Sequence, residues 1–245
     1  MGKISANLGT TLLLDKPVNI FVVEPKNVAN ISVIPQYAGA EANFSVGAGA
    51  GAHIVFPVLP QTGKFRVVVA EDARVTLSLV GRDNLDHDLD FMVELAGSGA
   101  NVHFQIAVIH LTASQSKFDC QLLHKSPRTY ARLVSRRIVL DGSRSALKGV
   151  LNVATTAQGA DTYLSDKALL LGEMSGATSD PQLEISANEV KASHGATIGK
   201  LPAEELFYIQ SRGIERHKAE SLLALAFLQP ALVGVSSDLV RSLTL

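Results

Sequence analysis

Short segments in which apolar and polar residues alternate follow one another along most of the chain, from about Thr11 to Lys200. Alternation at period two is the pattern of a half-buried strand, and no helical periodicity interrupts it. The segments have four to eight residues and are bounded by Gly, Asp, Asn or Pro. Clear examples begin at Val18, Phe65, Val75 and Val102. The pattern predicts a mainly β protein and excludes a doubly wound sheet, which needs helices between its strands.

A short motif recurs at the turns that open these strands: a turn residue, then alanine, then a polar residue. It occurs at Gly51–His53, Asp72–Arg74, Gly99–Asn101 and Gly159–Asp161. The first three alanines are 21 and 27 residues apart, which is the length of one solenoid coil. Alanine suits a corner where neighbouring coils lie about 4.8 Å apart. The repeat favours a β-helix, and a β-sandwich with Gly-Ala hairpins is the alternative.

The periodicity changes after Lys200. Pro202 is well placed near a helix start, and Glu204 and Glu205 would complement the helix dipole in the first turn. Gly213 reads as the residue that ends this helix.

A second helix is predicted from about residue 215 to 228, ended by Pro230, and residues 231–243 are candidates for a third. The apolar stripe predicted for the second helix consists of Ala219, Leu222, Leu223, Ala226 and Phe227. We therefore divide the chain into a β-helix core domain, residues 1–200, and a C-terminal helical domain, residues 201–245.

Composition narrows the class of protein. Apolar residues make up 47% of the 245 residues and charged residues 18%, which excludes intrinsic disorder. Aromatic residues are only 5%, so the core should be built from Val, Leu, Ile and Ala. The net charge of −1 excludes a globally basic nucleic-acid binder. The longest apolar stretch, Leu222–Val235, is too short to span a bilayer, and no signal peptide is visible. We expect a cytoplasmic protein without membrane or nucleic-acid partners.

Few residues combine into a recognisable catalytic or metal-binding pattern. The segment Asp83–Asp90 holds four carboxylates and His87 but lacks the glycine and terminal glutamate of a calcium loop, so a solvated strand face or turn is favoured over a metal site. Cys120, the single cysteine, reads as a buried and inert thiol. The common hydrolase, zinc, dinucleotide and P-loop motifs are missing from the sequence.

Histidines and basic residues cluster in the middle of the β region. His103, His110 and His124 are predicted to be surface or hydrogen-bonded interior histidines rather than ligands. Residues 117–148 are rich in Lys and Arg, yet they offer no platform of aromatic side chains for stacking on bases, and Tyr130 is the one candidate. Strand alternation would also divide these charges between two faces, which argues against nucleic-acid binding.

The end of the β region and the start of the helices carry a specific sequence signature. It consists of Leu183-Glu-Ile, Val190-Lys-x-Ser-His-Gly-Ala-Thr197, Leu206-Phe-Tyr208 and Ser211-Arg-Gly-Ile214, in that order. In this signature the chain closely resembles the SufB/SufD family, the scaffold subunits of the SUF iron–sulfur cluster assembly machinery. The resemblance covers roughly residues 75 to 235.

The resemblance implies a fold and partners. It implies a right-handed parallel β-helix with a small C-terminal α-helical domain, on which an ABC-type ATPase similar to SufC would dock. Two β-helices would pair through edge strands, as a homodimer or as a heterodimer with a SufB-like paralogue. No cofactor would be tightly bound, and a transient iron–sulfur cluster would be shared with a partner chain.

The resemblance also points to site residues. The His194-Gly-Ala-Thr form is similar to SufD-like chains, so His194 matches a histidine proposed to hold the nascent cluster; a structural histidine at the strand-to-helix turn is the alternative. The residues implied in ATPase binding are Phe207, Tyr208, Gln210, Arg212 and Gly213. For Phe207 the alternative is packing against the β-helix, and for Arg212 it is compensation of the helix dipole.

Departures from the family shape the functional expectation. Family members carry an N-terminal helical domain that we expect this chain to lack. Asp166 and Ala192 stand where SufB-like and SufD-like chains, respectively, carry cysteines. We expect a non-catalytic subunit that recruits the ATPase, with ATP hydrolysis on the partner. The alternatives are a regulatory paralogue that binds the ATPase but no cluster, and a carbohydrate-active β-helix using Asp86, Asp88 and Asp90.

Overall fold

The computed structural model describes residues 2–4, 9–14, 19–36 and 39–245. The strands in these residues are β1 (Gly2–Ile4), β2 (Gly9–Leu14), β3 (Asn19–Val23), β4 (Val28–Pro35), β5 (Gly39–Val46), β6 (Gly51–Phe56), β7 (Thr62–Val69), β8 (Arg74–Asp83), β9 (His87–Leu95), β10 (Asn101–His110), β11 (Gln115–His124), β12 (Tyr130–Leu140), β13 (Arg144–Val153), β14 (Ala160–Leu171), β15 (Gly176–Ile185) and β16 (Val190–Lys200). The helices are α1 (Ala203–Ser211), α2 (Arg216–Leu228) and α3 (Ser237–Arg241), with a 3-10 turn at Gln229–Ala231.

The strands form two parallel eight-stranded sheets. The first sheet contains the odd-numbered strands in order from β1 to β15, and the second contains the even-numbered strands from β2 to β16. Each pair of successive strands therefore makes one coil, and each coil pairs with the next in parallel register. This is a parallel β-solenoid with a C-terminal helical part, which confirms the predicted fold class.

The corners that lead into the second sheet repeat one backbone conformation. A residue with positive φ precedes the strand in successive coils: Gly49, Asp72, Gly99, Arg128 and Gly159, at 53–73°. The N–H of each donates to a carbonyl of the following coil, so the ladder continues through the turns. The predicted turn motif is correct except in its first copy, where the alanine equivalent to Ala73 is Ala50 rather than Ala52.

The interior is lined by inward-facing aliphatic residues, as the composition predicts, but it also holds most of the few aromatic rings. Phe56, Phe65, Phe91 and Phe104 pack with ring centroids 4.7–5.7 Å apart. Phenylalanine is rare in this chain, yet it is concentrated in one buried column where rings from neighbouring coils stack.

The helical part docks on the outer face of the second sheet. The helical residues in this contact are Ala224, Leu228, Ala231, Leu232 and Leu243. They cover Val80, Ala107, Ile109, Ile138 and Leu169 on the sheet. These outward positions are apolar because the helices, rather than water, face them.

The first two helices lie where they are predicted, with corrections to the buried face and the third helix. Ala219, Ala224 and Leu228 are the buried residues of α2, whereas Leu222 and Ala226 of the predicted stripe are exposed. Residues 222–228 are all apolar, so periodicity could not choose the face. The third helix is shorter than predicted because Gly234 makes a turn with φ of 78° and Ser236 caps a new start.

The Gln105 side chain links the helical part to the second sheet by two hydrogen bonds. Gln105 points outward from β10 and is 5% exposed. Its Nε2 donates to the Val233 carbonyl at 3.1 Å, and its Oε1 accepts from the Val233 N–H at 2.9 Å. We expect Gln105→Ala to lower the free energy of unfolding by about 1–3 kcal/mol, because both backbone groups lose their partner.

Chemical denaturation measures this loss, and limited proteolysis should show earlier cleavage after α2. Gln121→Ala is the control, since that side chain lies on the first sheet and its one hydrogen bond within the described residues is a long one to Asp119, at 3.4 Å. Equal stability of the two variants would contradict the role given to Gln105.

Candidate functional site

The C-terminal end of the solenoid is an open edge in the part of the chain that the structure describes. β15 pairs only with β13 and β16 only with β14, so each has one unpaired side. The inner face of this last coil is partly uncovered: Ile185 and Ile198 are each 42% exposed. Unpaired strand edges beside exposed apolar residues favour pairing with another chain.

His194 lies within this open edge. It is opposite Leu164 in the register of β14 and β16, and Leu164 is fully buried in the core. Paired positions share a face of a sheet, so His194 continues an inward-facing row at the uncovered end. His194 is exposed and lies in the middle of β16. This position disagrees with the alternative, in which it is a structural histidine at the strand-to-helix turn. Its ring nitrogens are available to a ligand from outside the chain.

Cys120 is buried inside the solenoid. Its side chain is 1% exposed, and burial, together with the charge of Asp119, raises the pKa of the thiol well above its usual value. The prediction of a buried thiol is confirmed. Because metals and electrophiles react with the thiolate, burial keeps this residue out of such chemistry. Among the described residues, no group of three or more His, Cys, Asp or Glu is placed to hold a metal ion.

Helix α1 presents the second exposed surface. None of its residues is buried, and it packs on α2. Phe207 is 73% and Tyr208 59% exposed, so the alternative in which Phe207 packs against the β-helix is wrong. Gln210, Arg212 and Gly213 are also exposed. We call these five residues the α1 surface.

The α1 surface is held in shape by its own contacts. The Arg212 guanidinium lies 5.2 Å from the centre of the Tyr208 ring, and its Nη2 donates to the Tyr208 hydroxyl at 3.4 Å. Gly213 follows with a φ of 83°, a conformation that favours glycine and that ends the helix. An exposed aromatic pair beside an ordered arginine has the composition of a protein-binding hot spot.

The acidic segment before β9 is engaged in contacts between coils. Asp83 Oδ1 lies 2.9 Å from His87 Nε2, and the other ring nitrogen lies 2.8 Å from the Pro60 carbonyl. Burial alone would lower the pKa of His87, but these two hydrogen bonds outweigh it and raise the pKa. Asp86 accepts from the Gln115 backbone N–H at 2.7 Å. These contacts stabilise a turn, in agreement with the interpretation of this segment as a strand face or turn.

His103, His110 and His124 fall into the two predicted classes, surface histidines and hydrogen-bonded interior histidines. His103 is exposed, and His110 is an interior histidine with both ring nitrogens in contact with serine hydroxyls, at 3.1 Å each. His124 is buried against Thr129, while its Nε2 has no partner. Burial lowers the pKa of His110 to about 3 and that of His124 to about 4. Both rings are therefore neutral at physiological pH.

A chain of buried polar groups, which sequence reasoning missed, crosses the interior. Arg137 binds Asp166 through two hydrogen bonds, of 3.1 and 2.6 Å, and donates to Ser145 Oγ at 3.0 Å. The Ser145 hydroxyl can then donate to His110 Nε2, and His110 Nδ1–H to Ser116 Oγ. One direction of donation therefore satisfies the four side chains that follow Asp166 in this chain.

Part of the basic stretch is neutralised by ion pairs between coils. Lys125 binds Glu94 at 2.6 Å, Arg132 binds Asp161 at 2.7 Å, and the interior Arg137 binds Asp166. The last two pairs are separated by 29 residues, one coil length. A search for opposite charges at that spacing could have found them. No helix of the described residues is long and apolar enough to cross a membrane.

Comparison with known proteins gives a match to one family model. The model is that of the SUF system FeS cluster assembly, SufBD core domain, and it matches residues 29–227. The match begins earlier in the chain than the sequence signature alone suggests, and it includes β4 to α2.

Curated relatives agree with this model. The iron–sulfur cluster assembly protein SufD of Escherichia coli is 30% identical over 197 residues, which are 76% of this chain and 46% of that protein. SufBD family proteins of Staphylococcus saprophyticus and Staphylococcus aureus are 29% and 28% identical over 110 residues, 45% of this chain and 24% of theirs. The chain thus spans less than half the length of these relatives.

Proposed function

Since the chain belongs to the SufBD core family of the SUF iron–sulfur cluster assembly system, we propose that it is a non-catalytic subunit of such an assembly complex. In this proposal the α1 surface docks an ABC-type ATPase similar to SufC, and ATP is hydrolysed on that partner in the cytoplasm. The observation that carries the proposal is the exposure of α1, none of whose residues is buried and whose aromatic residues contribute nothing to the core.

Pairing of two solenoids is the second part of the proposal. The free edges of β15 and β16 would add to the same edges of a second copy or of a SufB-like paralogue. Exposed Ile185 and Ile198 support this arrangement, because pairing would remove both from water.

In this proposal the iron–sulfur cluster is the cargo of the complex. His194 would supply one ligand to the cluster from the open edge. Thiolate ligands would come from the partner chain, because Cys120 is buried. The burial of Cys120 equally favours a second candidate, a regulatory paralogue that binds the ATPase but no cluster. Anaerobic reconstitution with iron, sulfide and the partner, read by visible absorption, separates the two, with His194→Ala as the comparison.

Docking is tested by replacing the most exposed aromatic residue. We expect Phe207→Asp to weaken binding of the ATPase by about 30-fold or more, the size of a hot-spot loss. Arg212→Glu should weaken it in the same direction. Isothermal titration of the ATPase into the full chain measures the effect.

The matched control is Met174→Asp, which also places a charge on an exposed apolar residue, 69% exposed, in the turn before β15. Unchanged binding by the Phe207 variant, or an equal loss in the Met174 variant, would refute docking through α1.

A further inference from the structure

Arg136 is a buried arginine on the outer face of the second sheet. It is 8% exposed, beside the region covered by the helical part. Its Nη1 donates to the Ser135 carbonyl at 2.8 Å and to the carbonyl and hydroxyl of Ser165, at 3.4 and 3.2 Å. These bonds fix the guanidinium in one orientation but bring no negative charge to it.

Arg136 differs from the neighbouring arginines in its partner on the next coil. Arg132 and Arg137 are bound by Asp161 and Asp166, whereas Arg136 makes no ion pair with any residue that the structure describes. The residue opposite Arg136 in the register is Lys167, a second cation. Burial lowers the pKa of Arg136, and the nearby charge of Asp166, which is itself paired with Arg137, offsets this only in part.

The two residues occupy paired positions on β12 and β14. Paired positions on neighbouring strands are about 4.8 Å apart and share a face, so Arg136 and Lys167 extend side by side. Like charges directly opposite each other destabilise a sheet. Lys167 is exposed and, within the described part of the chain, makes no hydrogen bond or ion pair that would offset this repulsion.

The free donors of Arg136 keep some contact with solvent. Its Nε and Nη2 donate to no described protein atom. The fully buried side-chain atoms that lack a hydrogen-bond partner are His124 Nε2, Ser135 Oγ, Thr162 Oγ1 and Ser179 Oγ, so neither nitrogen of Arg136 is fully buried. The next residue in the same row is Thr197 on β16, which is exposed, and its outward neighbours on that strand are Gly195 and Gly199. No bulky side chain of β16 therefore covers this approach.

We propose that Arg136 and Lys167 form an oxyanion-binding site, which takes a carboxylate or phosphate group. The Nε and Nη2 edge of a guanidinium matches two oxygens of such a group, and Lys167 adds a mobile point charge. The Thr197 hydroxyl lies next in the row as a third donor. The site is separate from the α1 surface and from His194, and it does not rest on the assembly role proposed above.

The test is a titration of the full chain with inorganic phosphate at constant ionic strength, with chloride as the balancing ion. The Nε–Hε resonance of Arg136, followed by NMR, should shift in a saturable way. Lys167→Gln should weaken phosphate binding about tenfold, the loss of one charge-assisted contact. The control is Lys191→Gln, which removes an exposed lysine of the same sheet that lies opposite Asp161.

Arg136→Lys provides a second variant, checked first for its unfolding midpoint, and it should lose the bidentate contact while keeping the charge. A parallel titration with acetate distinguishes the sources: saturation by both anions supports a general oxyanion site, and saturation by phosphate alone supports a phosphate group. No saturable shift with either anion, or an equal loss in the Lys191 variant, overturns the proposal.

Discussion

Replacing Arg137 with methionine should lower the free energy of unfolding by about 3–5 kcal/mol, because it leaves Asp166 as an unpaired buried charge. The two side chains are 0% and 1% exposed, and the nearest oxygen and nitrogen are 2.6 Å apart. Arg137 also donates to the Thr178 carbonyl and to Ser145, so the loss disturbs the interior between the two sheets. Urea denaturation followed by circular dichroism measures the change.

The control for this experiment is Arg132→Met, which breaks a pair with Asp161 of the same length but with side chains 22% and 36% exposed. Solvent-exposed pairs contribute only about 0–1 kcal/mol, so the control should be nearly neutral. A double variant, Arg137→Met with Asp166→Leu, should recover part of the stability because no charge remains buried. If the single Arg137 variant costs no more than the control, the interior pair does not have the energetic role assigned to it.

Acid should destabilise the protein between about pH 6.5 and pH 4, through His110 and His124. Burial lowers the pKa of these residues to about 3 and about 4 in the folded state, whereas the unfolded state keeps the ordinary value of about 6.5. Within this window the unfolded state binds more protons, so the free energy of unfolding falls as pH falls. The loss is on the order of 3 kcal/mol for each histidine at pH 4.

Other titrating groups contribute with both signs. Burial also lowers the pKa of His53 and of His103, so these two histidines add to the same slope. The pKa of His87 is raised, so its contribution is present at low pH and is lost as pH rises through the folded pKa. The pKa of Asp83 is lowered in spite of its burial, mainly by His87, and its contribution is lost at still lower pH. The two interior histidines have the largest shifts of pKa, and a variant at one of them isolates its share of the slope between pH 6.5 and pH 4.

Denaturation at a series of pH values measures this slope, and His124→Leu should reduce it by about one proton. The His124 site suits this change, because its Nε2 has no partner and Thr129 keeps its bond to the Ser126 carbonyl. His217→Gln, at an exposed position of α2, should leave the slope unchanged. A slope that is the same in all three proteins would contradict the assignment.

Much of the candidate site could be read from local sequence. The signature around His194 and Phe207 located both exposed surfaces, and Pro202 and Gly213 marked the limits of α1 within one or two residues. What could not be read was the burial of each residue. His194 and Leu164 both occupy inward positions, yet only Leu164 is buried, because no further coil covers β16.

The sequence by itself determined the strands, their turns and the helix starts, because period-two alternation, left-handed turn residues and helix-start residues act within a few positions. Only the tertiary structure decided which charges meet, since Arg137 reaches Asp166 one coil away and Arg136 meets Lys167 instead. It also decided which face of α2 is buried, because that face is chosen by the apolar patch around Ile138. Contacts between coils depend on register, and register is a property of the stacked sheets rather than of any one segment.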